Sequence, residues 1–263
     1  MKSLQDLLNL KDKTAIVTGG AKGIGYGISY RLAEAGARVM MADLDETAGQ
    51  EASKELTDKG WRAETTKVDV SNEEDVKRMI STCQEKFGSV DILVNNAGIY
   101  PSTPIAQMTA DQFDKVIQVN LRSVFLTTKY VAELMKQHGG GKIINISSID
   151  ALHPSSVGLA HYDASKHGIW GFTKNAALEL AEHQIWVNAI APGGIVTPGS
   201  SVANPNIPPD QVAALTQAFL AKIPMHRLGQ PDDIGLVALF LASDMSNYMT
   251  GEQIVVDGGA LLA

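Results

Sequence analysis

The sequence predicts an α/β fold: one doubly wound domain over residues 1–263, with a seven-stranded parallel sheet covered by helices on both faces. Three observations predict it. Short β-branched, apolar runs alternate with amphipathic stretches of helical period along the chain, as in strands buried on both faces and joined by crossover helices. No segment recurs with a period of about 20–50 residues, which sets solenoids aside. The connections are short enough that no domain boundary is visible; only the Pro-, Ser- and Asn-rich stretch 199–209 stands out. An insertion of that kind in a compact domain reads as a lid or binding loop, here a mobile flap over about residues 199–226.

The elements follow in order. Residues 14–18 (Thr-Ala-Ile-Val-Thr) form a buried strand, and 24–35 the helix after it. The second strand is 38–42, whose Met40-Met41 pair belongs to the core, followed by a charged helix over 46–59. A weaker strand covers 63–68. Asn72 then precedes Glu73-Glu74-Asp75, an N-cap residue before an acid-rich helix start. Strand 91–94, a long helix over 111–136, strand 142–146, helix 160–182 and strand 185–190 come next. After a short helical stretch at 210–221, a helix at 231–241 and a strand at 253–256 close the pattern.

Composition excludes several classes. Lys plus Arg (22) against Asp plus Glu (29) gives a net charge of −7, which argues against a nucleic-acid binder. The single cysteine, Cys83, forms no intramolecular disulfide and rules out a Cys-rich metal site. His138, His153, His161, His167, His183 and His226 show no ligand spacing, so no metal is expected. The longest uncharged run, 184–209, is broken by five prolines and cannot span a membrane. No secretion signal is visible at the start, and the expected compartment is the cytoplasm.

Between the first strand and its helix lies Thr18-Gly19-Gly20-Ala21-Lys22-Gly23-Ile24-Gly25. Glycines at such a turn let the backbone approach a pyrophosphate, and the helix N-terminus offers it free N–H groups. Asp43 stands at the end of the second strand, 18 residues beyond Gly25. An acid there accepts hydrogen bonds from the adenosine ribose hydroxyls of NAD. The 2′-phosphate of NADP, about 4 Å from it at an effective dielectric of about 20, meets ~4 kcal/mol of repulsion per unit charge. Lys22, as an exposed partner, recovers only ~0–1 kcal/mol. The expected cofactor is NAD.

Tyr162-Asp163-Ala164-Ser165-Lys166 puts a phenol and an ammonium at i and i+4 on one helix face. A free phenol must be lowered by about 3 pH units, ~4 kcal/mol, to serve as a base near neutrality. A lysine charge ~5 Å away supplies ~3 kcal/mol, and the positive ring of the oxidised cofactor the remainder. Elsewhere the chain carries Asp69-Val70, Asn95-Asn96-Ala97-Gly98, Asn120, Ile146-Ser147-Ser148, Pro192-Gly193 with Thr197, and Asp257-Gly258-Gly259. In this order and at these intervals the chain resembles the classical short-chain dehydrogenases/reductases, over about residues 10–259.

The resemblance implies a Rossmann-type domain that transfers hydride between NAD and a secondary alcohol or ketone, in a homotetramer. It gives Tyr162 the role of general acid/base. Lys166 would lower its pKa and hold the nicotinamide ribose, and Ser148 would hydrogen-bond the substrate oxygen. Asn120 would fix a water linking Lys166 to solvent. Gly19, Lys22, Gly23, Ile24, Gly25 and Asp43 would hold the cofactor on one side, and Asp69 and Val70 would flank its adenine. Asn96, Ala97 and Gly98 would line the cleft, Pro192 and Gly193 would complete it, and Ile195 with Thr197 would hold the carboxamide. Tetramers would form through the long helices around Asn120 and Lys166, which carry Val124, Phe125, Trp170 and Phe172.

One interval departs from the family. Ser148 lies 14 residues before Tyr162 and Ser147 lies 15 before it, so the loop between holds one residue more than is usual. A bulge at Pro154-Ser155-Ser156 absorbs it if Ser148 is the catalytic serine; Ser147 is the alternative. Asp150, Leu152, His153, His161, Tyr100 and the flap are the positions expected to face the substrate. His161, a helix neighbour of Tyr162, points about 100° away from it and is expected to border the pocket or a subunit contact. This polar mixture favours a sugar, polyol or other small polar hydroxy compound over a hydroxyacyl or apolar alcohol. An NADP-dependent carbonyl or 3-oxoacyl reductase, and a non-catalytic cofactor sensor, are the alternatives.

Overall fold

Alternation along each strand decides how the sheet is buried. Ile16 and Met40 point to one face, and their neighbours Val17 and Met41 to the other, all fully buried. The computed structural model describes residues 1–198, 217 and 220–263. The flap expected over about 199–226 and the helical stretch expected at 210–221 therefore fall mostly outside the described residues.

The described elements are α1 (Leu4–Leu8), β1 (Thr14–Thr18), α2 (Gly23–Glu34), β2 (Arg38–Asp43), α3 (Glu46–Asp58), β3 (Ala63–Lys67), α4 (Glu73–Phe87) and β4 (Ile92–Asn95). They continue with α5 (Ala110–Ile117), α6 (Ser123–Gln137), β5 (Gly141–Ile146), α7 (Ala160–Leu180), β6 (Ile185–Pro192), α8 (Pro231–Ala242) and β7 (Gln253–Val256). The seven strands form one parallel sheet in the order β3-β2-β1-β4-β5-β6-β7. Ile28 and Leu32 of α2, Leu56 of α3 and Ile234 and Leu241 of α8 cover one face. Val76, Met79 and Cys83 of α4, Leu126 and Met135 of α6 and Ala177 of α7 cover the other. The strand order reverses between β1 and β4, so a crevice opens beyond their C-terminal ends.

Three details differ from the expectation. Asp91 does not belong to β4; its carboxylate accepts the Thr14 N–H at 2.9 Å and ties the strand starts together. The long helix is not continuous, because a π-helical turn, Gln118–Arg122, separates α5 from α6. Residues 4–8 form a short helix closed by a capping box of Ser3 and Asp6, too brief to leave a periodic signal. Asn72 caps α4 as expected, accepting from the N–H groups of Glu74 and Asp75. Among the described residues, no helix is long and apolar enough to cross a membrane.

Candidate active site

The glycine turn after β1 is built by positive φ and by contact. Gly19 and Gly23 hold φ of 60° and 52°, the left-handed region that glycine enters without cost. A Cβ on Gly25 would lie 1.9 Å from the Gly19 carbonyl oxygen, so only glycine allows the turn to close there. Asn96 braces it from just beyond β4: its Nδ2 donates to the carbonyls of Thr18 (2.9 Å) and Gly19 (3.0 Å). The Thr18 hydroxyl oxygen accepts from the N–H groups of Asn96 and Ala97 at 3.0 and 3.1 Å. Lys22 occupies the N-cap of α2 without a side-chain cap, and the first turn holds no acid. That end keeps its partial positive charge.

Asp43 ends β2, partly exposed. Its two carboxylate oxygens accept from the N–H groups of Ala21 and Asp45, each at 3.1 Å. These bonds tie the acid to the turn and leave lone pairs for ribose hydroxyls. The Lys22 ammonium pairs with Asp45 instead, at 2.6 Å. Asp69 accepts from the Ser71 N–H and hydroxyl at 2.9 and 2.6 Å, which hold its carboxyl below the usual range; Val70 beside it is buried. Across the crevice, β6 ends at Pro192, and a Cβ on Gly193 would come within 2.7 Å of Asp257. Ile195 is buried, and Thr197 sits so close to Gly23 that a Cβ there would meet it at 3.2 Å. The turn, Asp43 and this far wall form a cradle that added side chains would fill, and these residues fit a dinucleotide.

Tyr162 and Lys166 leave α7 one turn apart, as their spacing dictates. The Lys166 ammonium lies 5.5 Å from the phenol ring centre and donates to the Ile146 carbonyl at the end of β5, at 2.8 Å. Burial pulls Lys166 down to about 8, against the charge of Asp150. Burial pushes the Tyr162 phenol above its ordinary value, Ser148 pulls it down through a hydrogen bond, and Asp150, Tyr100 and Asp163 push it further up. Desolvation is the largest of these effects, because burial disfavours the charged phenolate. The Tyr100 ring meets Tyr162 edge-on at 6.1 Å.

The two serines diverge. Ser147 is buried, and its hydroxyl donates back to the Lys166 carbonyl at 3.3 Å. The Ser148 hydroxyl donates to Asp150 Oδ2 at 2.8 Å and its oxygen accepts the Asp150 N–H at 3.1 Å. A 3₁₀ turn, Ile149–Ala151, follows Ser148, and the Ser155 N–H returns to Asp150 Oδ1 at 3.0 Å. Asn120 sits in the π-helical turn, fully buried. Its amide accepts from the Ile99 N–H (2.8 Å) and donates to the Ile99 carbonyl (2.9 Å) and the Ser165 hydroxyl (3.1 Å). It therefore clamps the loop after β4 onto α7. Single-turn π insertions recur at functional sites.

Sequence reasoning missed this clamp, whose partners lie 21 and 45 residues from Asn120, and the turn of Asp150 onto Ser148, two residues away in a loop whose conformation no spacing fixes. His161 is fully buried, its Nδ1 accepting the Tyr162 N–H at 2.9 Å, so it forms no part of a subunit surface. Asn95 and Asn145 join β4 to β5 at 2.8 Å beneath the site.

The model of a family described as enoyl-(acyl carrier protein) reductase matches residues 19–260. The chain is 42% identical over 252 residues to the 3-oxoacyl-[acyl-carrier-protein] reductase FabG of Chlamydia pneumoniae, covering 96% of this chain and 98% of that protein. It is 41% identical over 258 residues to a 3alpha-hydroxysteroid dehydrogenase of Mediterraneibacter gnavus, covering 95% and 98%. A solved 7 alpha-hydroxysteroid dehydrogenase complexed with NADH and 7-oxo glycochenodeoxycholic acid superposes with a TM-score of 0.91 at 35% identity, covering 98% of each chain. By its fold, its motifs in order and these likenesses, the chain belongs to the classical short-chain dehydrogenases/reductases.

Proposed function

We propose that the chain, as a single catalytic domain over residues 1–263, is an NAD-dependent oxidoreductase acting on a secondary alcohol or its ketone. The substrate class is a sugar, polyol or other small polar hydroxy compound. The observation that carries the reading is that Tyr162 and Lys166 stand one turn apart on α7, with the Lys166 ammonium 5.5 Å from the phenol ring and bonded to the Ile146 carbonyl at the end of β5, two residues before Ser148.

In this reading Tyr162 gives a proton to, or takes it from, the substrate oxygen. Ser148 donates to that oxygen as charge develops on it. Lys166 holds the ribose and moderates the phenol, and Asn120 keeps the loop after β4 in register with α7. Gly19, Gly23, Ile24, Gly25, Asn96, Ala97 and Gly98 hold the phosphates and line the cleft, with Lys22 at the rim. Asp43, Asp69 and Val70 take the adenosine, and Pro192, Gly193, Ile195 and Thr197 the nicotinamide end. When bound, the nicotinamide accepts or supplies the hydride and, oxidised, carries a positive charge. The buried carboxylate of Asp150 and the Tyr100 ring beside Tyr162 support a small polar substrate. Exposed apolar side chains on α5, α6 and α7 (Phe113, Phe125 and Leu178) support a tetramer through those helices.

Asp43 decides the cofactor. Because Lys22 is engaged by Asp45, a 2′-phosphate would meet the Asp43 carboxylate with that cation already paired. Repulsion cut by solvent to ~2–4 kcal/mol gives a roughly 30- to 1000-fold preference for NAD over NADP in kcat/KM. Asp43→Ala should weaken NAD and improve NADP. Equal or NADP-favouring efficiency in the wild type would contradict the assignment. It would favour a second reading, an NADP-dependent 3-oxoacyl reductase, to which the 42% identity with the FabG protein lends support.

A further inference from the structure

Ser165 has no task in that reading, yet its hydroxyl ends on the backbone of Tyr162. It is fully buried in the first turns of α7. Its Oγ donates to the Tyr162 carbonyl at 2.6 Å and accepts from the Asn120 amide nitrogen at 3.1 Å. A hydroxyl has one proton to give and lone pairs to receive with, so the two bonds run in one direction, from Asn120 through Ser165 to Tyr162. Asn120 is fully used as well: its other amide proton goes to the Ile99 carbonyl and its oxygen accepts the Ile99 N–H.

A hydroxyl that bonds back to a carbonyl three or four residues earlier is common in helices. Thr173, about two turns along α7, does the same toward Ile169, donating to that carbonyl at 2.8 Å and accepting from Asn145 at 2.9 Å. The two relays differ in where they end. That of Thr173 reaches a core isoleucine; that of Ser165 reaches the residue that carries the phenol. They also differ in where they start. Asn120 stands in the π-helical turn and holds both backbone groups of Ile99. The next residue, Tyr100, meets the Tyr162 ring edge-on at 6.1 Å. One clamp therefore reaches Tyr162 twice, at its backbone through Ser165 and at its ring through Tyr100.

We propose that Ser165 is a positioning residue: it passes the hold of Asn120 on the loop after β4 to the Tyr162 backbone and so sets where the phenol oxygen stands. Hydrogen bonds in such a chain strengthen one another. Without the hydroxyl, a buried amide proton of Asn120 and a lone pair of the Tyr162 carbonyl lose their partner. The start of α7 then settles differently, and a displacement of about 1 Å in a reacting group costs on the order of 10²-fold in rate. Lys166 keeps its own support, the Ile146 carbonyl at 2.8 Å, so the grip on the cofactor stays.

The proposal rests on the acid–base role of Tyr162, and two measurements separate it from that role. The first needs no substrate. The whole chain, with its tyrosines isotope-labelled at Cζ, is followed by NMR, and Tyr162→Phe identifies the Tyr162 signal by its loss. Ser165→Ala should move that signal and leave those of Tyr26, Tyr30 and Tyr248 in place. The second is kcat on the fastest of xylitol, sorbitol, 2,3-butanediol and cyclohexanol with NAD, or of a 3-oxoacyl thioester and a steroid ketone with reduced cofactor. Ser165→Ala should lower it by about tenfold or more, with the calorimetric Kd for NAD within about twofold of wild type. Ser165→Thr, which restores a hydroxyl, should return the signal, and kcat to within about threefold of wild type; Ser165→Cys, a weaker donor, takes its place if the threonine protein does not fold. Thr173→Val removes the matching hydroxyl of the second relay and should change neither measurement. A Tyr162 signal that stays put, a smaller loss of kcat, a parallel loss of NAD affinity, no rescue, or an equal effect of Thr173→Val overturns the Ser165 proposal alone. Near-normal kcat in Tyr162→Phe, or a wild type that turns over none of the compounds, overturns the acid–base reading itself, and the Ser165 proposal with it.

Discussion

Tyr162→Phe should lower turnover by at least ~10²–10⁴, the usual loss when a general acid–base group is removed, while NAD affinity changes little. The substitution takes away one oxygen and keeps the ring. The edge-on contact with Tyr100 at 6.1 Å and the approach of Lys166 at 5.5 Å both survive. The cofactor cradle is built from the turn after β1 and from the ends of β2 and β6, none of which uses the phenol oxygen. The check is kcat from absorbance at the reduced-nicotinamide band, beside a calorimetric Kd for NAD. Near-normal turnover would mean that another group moves the proton.

Ser148→Ala should cost ~10²–10³ in rate, as for other lost donors to a developing oxyanion, and Ser147→Ala less than about tenfold. The structure separates the two residues by direction. Ser147 gives its proton to the Lys166 carbonyl at 3.3 Å, a long neutral bond worth ~1 kcal/mol at most. Ser148 faces Tyr162 and Asp150. Kinetics of the two alanine variants, with circular dichroism to confirm folding, give the ranking. The reverse order would place Ser147 at the substrate oxygen and show that the longer loop shifts the register of β5.

The parts of the site that were legible in the sequence are those fixed by local geometry. Gly19, Gly23 and Gly25 could be read because positive φ and close backbone approach admit no other residue. Tyr162 and Lys166 could be read because helical spacing alone puts them on one face. The strands were legible because burial on both faces demands unbroken apolar runs, as in Ile16-Val17 and Met40-Met41.

Tertiary pairing hid the rest. The π-helical turn at Gln118–Arg122 leaves the apolar period nearly intact while moving Asn120 onto Ile99 and Ser165. Asp150 reads as a loop acid until β5 brings Ser148 against α7 and the loop folds Ser155 back onto it. The phenol's elevation depends on desolvation, which spacing between charges does not report. Sequence places Lys22 near Asp43, but the turn delivers it to Asp45, the N-cap residue of α3.

Wild-type protein is offered xylitol, sorbitol, 2,3-butanediol and cyclohexanol with NAD and, separately, with NADP, and in the reverse direction a 3-oxoacyl thioester and a steroid ketone with each reduced cofactor. All are followed at the reduced-nicotinamide band. The account predicts that a polyol is oxidised with NAD, at an efficiency at least about 30-fold above that with NADP. Reduction of the thioester or steroid ketone with NADPH, with no polyol turned over by NAD, would contradict it.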